Sequence, residues 1–295
     1  MIQRNRLGGG ITYVCFACII MLAVSTLFTE ILRYFPSGNN AVDIMKAGAS
    51  SLIAVALPAL VCSYFRGGVR KNLRRYRRRC KKIDSFMLCA AGFFVCVLLN
   101  FFSGILSRAL TGEYGTKINA DGFWEIAAAA LSLSVLPALC EEFAFRGIVM
   151  GILSRGGEGF AIISSALFFA LIHQSFGAVV FAFGAGLVLG EIRRISGRLL
   201  PCILVHFLNN IFALALNLAE GVMKQNDFTA FLTGFLIFCG ISATILSAVP
   251  IIRGAPVFEF DKRKCVLSKK QKLVILFSSP VFLIFAALSV LGIIF

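Results

Sequence analysis

Six polar residues in this 295-residue chain could do chemistry in an apolar setting. Glu141 and Glu142 stand side by side, followed by Arg146. His173 ends the run Phe169-Ala-Leu-Ile-His173. His206 opens His206-Phe-Leu-Asn-Asn210, and the chain has no other histidine. On a helix Glu142 and Arg146 are four apart and share a face. Glu141 is turned from its neighbour by about 100° and is left without a partner in its own helix. His206 and Asn210 are also four apart and share a face.

These residue types suit attack of water on an amide. A carboxylate in apolar surroundings is a stronger base and can take a proton from water. A histidine beside it can orient that water or carry its proton. His206 and Asn210 can donate hydrogen bonds to a developing oxyanion, the electrostatic task of acyl transfer. Together these roles give hydrolysis of a peptide bond without a covalent intermediate. A metal route uses the same residue types. Glu141, His173 and His206 are the set that would hold Zn²⁺, which lowers the pKa of its water to about 7. The HExxH helix of ordinary zinc proteases is absent, no transmembrane aspartate pair exists, and no GxSxG elbow appears.

The elements that carry these residues are apolar helices. The chain is 59% hydrophobic, well above the roughly 45–50% of soluble domains. A helix needs about 20 mostly apolar residues to cross the hydrocarbon core. Nine stretches qualify as candidates, at 11–32, 44–65, 85–106, 123–149, 160–175, 177–193, 199–219, 228–252 and 273–295. The fifth and sixth are short and joined only by Gln174-Ser-Phe176. The expected fold is an all-α transmembrane bundle of eight to nine spans, one membrane domain over 1–295 with a catalytic core at about 123–215. Pro137 lies one turn before Glu141. It frees the carbonyl of Leu133 and should bend the fourth span. Charged groups at membrane depth cost roughly 2.5–3.5 kcal/mol each on insertion scales, so such residues face a bundle interior or a wet cavity and mark function.

The net charge of +15 follows the loops. Arg4 and Arg6 precede the first span, and ten Lys or Arg fall between Arg66 and Lys82. Further basic residues follow the fourth, sixth and eighth candidates: Arg155, then Arg193, Arg194 and Arg198, then Arg253, Lys262 to Lys264 and Lys269 to Lys272. The alternate loops hold Asp43, Glu113, Asp121 and Asp227 instead. This alternation predicts a cytoplasmic N-terminus and basic loops facing anionic lipid. No aromatic or glycine pattern for nucleic acid accompanies the basic run, so nucleic acid is not an expected partner. The apolar run 11–28 exceeds a signal-peptide core and reads as a retained span. Most of the ten cysteines lie inside apolar runs, where free cysteine is a small hydrophobe. Cys15-xx-Cys18 lacks the βαβ context of a redox motif. Gly147-xxx-Gly151 and Gly186-xxx-Gly190 place small residues one turn apart for close helix packing.

Glu141-Glu142-xxx-Arg146, Phe169-xxx-His173 and His206-xxx-Asn210, in that order on separate spans, resemble the three motifs of the CPBP family. These are the CAAX-processing and bacteriocin-processing (Abi) intramembrane endopeptidases, including the type II CAAX prenyl endopeptidases. The stretch from Arg194 to His206 resembles the family's run into its third motif, and the resemblance covers about 123–215. It implies that Glu141 activates water, supported by Glu142 and Arg146, that His173 assists, and that His206 and Asn210 stabilise the oxyanion. It implies a membrane-associated peptide or protein substrate, prenylated or bacteriocin-like, and a multi-pass protein of a bacterial plasma membrane. The family is often labelled metalloprotease, although a metal-free, glutamate-dependent mechanism has also been argued for it. Two other readings fit the residues: a catalytically silent immunity or binding protein, and a proton-coupled transporter. The second predicts corresponding interrupted helices in the other half of the chain, and none is found.

One depth does not match. At about 1.5 Å per residue, Glu141 and His206 lie roughly 10–12 Å from the ends of their spans. His173, counted from Phe160, lies roughly 20 Å from its own.

Overall fold

A computed structural model describes residues 2–34, 40–74, 76, 79–112, 118, 120, 122–260 and 267–294. Every regular element among them is helical. In chain order they are α1 (Ile2–Arg33), α2 (Asn40–Ser51), α3 (Leu57–Phe65), α4 (Val69–Leu73), α5 (Lys82–Thr111) and α6 (Phe123–Gly156). They continue with α7 (Glu158–Leu171), α8 (Phe176–Ser196), α9 (Leu200–Val222), α10 (Gln225–Ile252), α11 (Lys269–Phe277) and α12 (Pro280–Ile294). The expected positions Arg75, Arg77, Arg78, Glu113, Asp121 and Lys262 to Lys264 lie outside the described residues.

The all-α bundle is present, but the span count is lower than eight to nine. Among the described residues six helices are long and apolar enough to cross a membrane: α1, α5, α6, α8, α9 and α10. The pair α11–α12 makes a seventh only if it counts as one span, and it is bent by 68°. The bend falls at Ser278-Ser279-Pro280, where proline has no N–H to continue the helix. The second candidate is helical from Asn40 to Phe65, with a π-helical turn at Leu52–Ala56 joining α2 to α3. The fifth is the clearest correction. α7 has 14 residues, about 21 Å of rise, against a core of about 30 Å.

The short α7 resolves the depth mismatch. The fourth span does not stop near 149. α6 is one helical run of 34 residues reaching Gly156. Gly157, at φ 94°, then turns the chain into α7, a conformation that glycine adopts without strain. Counted from this corner, Glu141 lies about 15 residues back and His173 about 16 residues forward. In an antiparallel hairpin they therefore sit at the same depth. α7 is a half-length helix that delivers His173 to the level of Glu141.

α8 packs along both α7 and α5, α10 along α5, and α9 against the middle of α6. Gly186 and Gly190 of α8 face Ala166 and Ile162 of α7, where a Cβ on Gly186 would stand 2.8 Å from the Ala166 Cβ. That is the close approach their spacing predicts. Gly147 and Gly151 serve a different neighbour. Their missing side chains admit Leu73 and Asn72 at the end of α4. The larger apolar core joins α1, α3, α6, α7 and α12 through residues such as Ile11, Phe145, Ile148, Phe168 and Phe285. A smaller one joins α5, α8 and α9 through Cys96, Leu189 and Val205. Large apolar side chains such as Phe86, Ile105, Trp124 and Ile237 are exposed on the outside, as a lipid-facing surface requires.

Candidate functional site

The site begins with an irregular helix. α6 contains two π-helical stretches, Ala130–Val135 and Glu142–Val149. The first lies directly before Pro137. The disruption expected from that proline takes the form of wider turns within one continuous span. The second begins at Glu142 itself. π-Helical turns inside α-helices recur at functional sites because they rotate side chains out of register. Within this stretch the Phe145 carbonyl accepts from Ser165 Oγ of α7 at 3.0 Å, which joins the two arms of the hairpin.

Glu142 and Arg146 form the expected intrahelical pair. Arg146 Nη1 donates to Glu142 Oε1 at 2.8 Å, and both side chains are fully buried. The same oxygen accepts from a second donor that the sequence does not announce, His206 Nδ1 of α9, at 2.9 Å. This contact fixes the tautomer. With Nδ1–H committed to Glu142, the other ring nitrogen, Nε2, faces Glu141 Oε2 at 3.8 Å. A bare imidazole nitrogen and a carboxylate oxygen would be two acceptors facing each other. A proton on Nε2, on Glu141, or on a bridging water makes the approach favourable. His206 thus lies between two carboxylates. Glu141 finds its neighbour on α9 and not on its own helix.

Unlike Glu142, Glu141 is partly exposed, with 14% of its side chain accessible. His173 is also half-buried, beyond the C-terminal end of α7 rather than within a span. Its Nδ1 lies 2.8 Å from the Phe169 carbonyl. That carbonyl can only accept, so Nδ1 carries the proton and Nε2 keeps a lone pair free for a water proton.

Phe169 is the shared wall of the site. Its ring centroid is 4.9 Å from that of His173, 6.2 Å from that of His206 and 5.1 Å from that of Phe145. The Arg146 guanidinium stands 4.3 Å over its face. A cation against an aromatic face in dry surroundings contributes about 2 kcal/mol. The sequence names Phe169 as the first position of Phe169-xxx-His173 but assigns it no role, because an apolar letter in an apolar run carries no chemical signal of its own. Asn210 is less engaged. It lies half-buried one turn after His206 and makes no hydrogen bond among the described residues. Its neighbour Asn209 is buried and lines a cavity of about 410 Å³ with Asn100, Arg108, Asn217 and Glu220.

Glu141, His173 and His206 do not form a ready ligand set. Both ring nitrogens of His206 face carboxylates, one of them the Arg146-paired Glu142. His173 joins through Phe169 rather than through a carboxylate. Among the described residues no group of three or more His, Cys, Asp or Glu side chains is disposed to hold a metal ion.

Of the basic residues expected at the surface after the sixth candidate, Arg198 is exposed, but Arg193 and Arg194 are buried. Arg194 bonds both oxygens of Glu191, at 2.8 and 2.6 Å, and the carbonyls of Glu259 and Pro256. Arg193 donates to the Arg146 and Leu73 carbonyls. These two side chains lock the segments after α10 and at the end of α4 onto the end of α8. Arg193 also braces the turn of α6 that holds Arg146.

Residues 123–212 match the family model described as type II CAAX prenyl endopeptidase Rce1-like. The matched stretch is under a third of the chain and runs from the first turn of α6 to the middle of α9. All six candidate residues fall inside it. No curated protein and no solved structure matches the chain.

Proposed function

We propose that this multi-pass membrane protein, whose residues 123–212 match the Rce1-like type II CAAX prenyl endopeptidase model, hydrolyses a peptide bond of a membrane-associated peptide or protein by glutamate-activated water. The match of residues 123–212 to that protease family's model supports an intramembrane protease in general. The finer reading rests on one observation: His206 contacts Glu141 on one ring nitrogen and Glu142 on the other.

In this reading Glu141 is the general base. Its carboxylate takes a proton from water, and the water oxygen attacks the amide carbon. The His173 Nε2 lone pair accepts the second water hydrogen and holds the nucleophile in line. As negative charge moves onto the amide oxygen, the protonated Nε2 of His206 and the amide of Asn210 donate to it. The proton held by Glu141 then passes to the amide nitrogen, and the C–N bond breaks. The water oxygen ends in the new carboxyl group, whose remaining proton leaves through His173 Nε2 to solvent, and the leaving chain ends as an amine. Glu142, anchored by Arg146, accepts from His206 Nδ1 and keeps its ring oriented. Preorganised donors of this kind are worth about 10²–10³ in rate each. The N-terminus and the basic loops belong on the cytoplasmic side, which opens the site toward substrates that reach the membrane from there. Prenylated and bacteriocin-like peptides are the two substrate classes to try first.

The test is product analysis by mass spectrometry. The purified protein in lipid nanodiscs is incubated with a lipid-anchored peptide and with an unmodified membrane-spanning peptide, in water enriched in ¹⁸O. Hydrolysis places one ¹⁸O in the new C-terminal carboxylate of the product. Intact peptides of both classes after long incubation, with the protein folded, would end the hydrolase reading.

A further inference from the structure

A second polar site lies at the other end of the α6–α7 hairpin. A cavity of about 780 Å³ is lined by Arg6 of α1, Arg66 at the end of α3, Lys71 of α4, Tyr76, and Ser154, Arg155 and Glu158 at the hairpin corner. The Glu158 carboxylate is bonded by Arg79, so the four cations around the cavity outweigh it.

The architecture brings two of these cations together. Arg155 Nη1 and Arg66 Nη2 each lie 3.9 Å from the point that a Cβ on Gly10 would occupy. A Cβ on Gly9 would stand 2.5 Å from Arg66 Nη2. Gly9 and Gly10 of α1 therefore clear the space in which the Arg66 guanidinium lies. That guanidinium stacks 4.7 Å over the Tyr13 ring, while its Nε and Nη2 are buried and have no hydrogen-bond partner among the described residues. Buried guanidinium N–H groups without acceptors are costly, and like charges held close repel. An anion offsets both costs. The planar fork of arginine matches a phosphate bidentately, and charge-assisted bonds of this kind are the strong ones.

We propose that this cavity binds a phosphate group, either the headgroup of an anionic lipid or a soluble phosphate ester. The site is about 15 residues along α6 from Glu141, on the face that carries the basic segment. A lipid headgroup held there would tie α1, α3, α4 and the hairpin corner together at the membrane surface.

The test uses the full-length protein, stripped of lipid in detergent and returned to nanodiscs. Thermal unfolding and bound-lipid analysis by native mass spectrometry are compared for phosphatidylcholine alone and for phosphatidylcholine mixed with phosphatidylglycerol. Inorganic phosphate is titrated in a parallel arm. Arg6→Gln/Lys71→Gln removes two exposed lining charges and leaves the buried residues untouched, so the fold should survive. Phosphatidylglycerol is expected to raise the unfolding temperature and remain bound, and the double variant to bind it about thirtyfold more weakly. Stabilisation by phosphatidylglycerol but not by inorganic phosphate assigns the site to a headgroup. Equal stabilisation by inorganic phosphate assigns it to a soluble ester. Binding of neither anion, or binding unchanged in Arg6→Gln/Lys71→Gln, overturns the site.

Discussion

His206 Nδ1 lies 2.9 Å from Glu142 Oε1, although 64 residues separate them in the chain. That contact pins α9 to α6 and makes one carboxylate oxygen serve both an arginine and a histidine. Glu142 is thereby committed to holding the site together, and Glu141 is the adjacent carboxylate with some access to water. The two glutamates should therefore respond differently to substitution.

Glu142→Ala should unfold the protein before it informs on chemistry. It leaves the Arg146 charge buried without its ion-pair partner, a cost of about 3–5 kcal/mol. The combined Glu142→Met/Arg146→Met variant removes both charges and should lose less stability than the sum of the single changes. Thermal unfolding in nanodiscs measures both, and additive losses would mean that the pair does not act as a unit.

Phe169→Leu should weaken the site while sparing the fold. It keeps an apolar side chain at that position but removes the face under Arg146 and the ring edge against both histidines. We expect a stability loss of about 1–2 kcal/mol, with cleavage slowed by about tenfold or more through the misplaced imidazoles. Unchanged cleavage with this variant would show that the wall is not needed to position them.

Arg194→Ala should free the segment after α10. Its guanidinium holds both oxygens of Glu191 and two carbonyls of residues 256–259. Removing it leaves Glu191 buried and unpaired, at about 3–5 kcal/mol. Limited proteolysis should then cut near 253–260 faster than in the parent, and equal cutting would place the restraint elsewhere.

The donor geometry also predicts the response to chelation. His206 is engaged by two carboxylates and His173 stands apart from them, so extended treatment with a strong chelator should leave cleavage unchanged. Loss of activity that returns with Zn²⁺ would require the side chains to regroup around a metal.

What could be read in the chain depended on distance along it. The Glu142–Arg146 pair was legible because four residues make one helical turn. The all-helical membrane architecture was legible because long apolar runs leave few alternatives in lipid. The span count was not, because composition does not reveal a helix that stops halfway. α7 and the bent α11–α12 pair are apolar enough to read as crossings and are too short or too angled to be straight ones. The extension of α6 to Gly156 was hidden by Gly151 and by the polar close Ser154-Arg155-Gly156, which read as the start of a loop. The burial of Arg193 and Arg194 was hidden because basic residues at the end of an apolar run read as surface anchors. Only tertiary contacts with the distant carbonyls of Leu73, Arg146, Pro256 and Glu259 reverse that reading. His206 meeting both glutamates depends on how α9 crosses α6, and no local pattern encodes that crossing.

The account stands most directly on cleavage of a membrane peptide by Glu141→Gln set beside the parent protein, with unfolding temperature recorded on the same samples. Glutamine keeps the size of the side chain but cannot take the water proton. The predicted result is a rate lower by about 10²–10⁴ at a nearly unchanged unfolding temperature. Cleavage at the parental rate by a folded Glu141→Gln protein would contradict it.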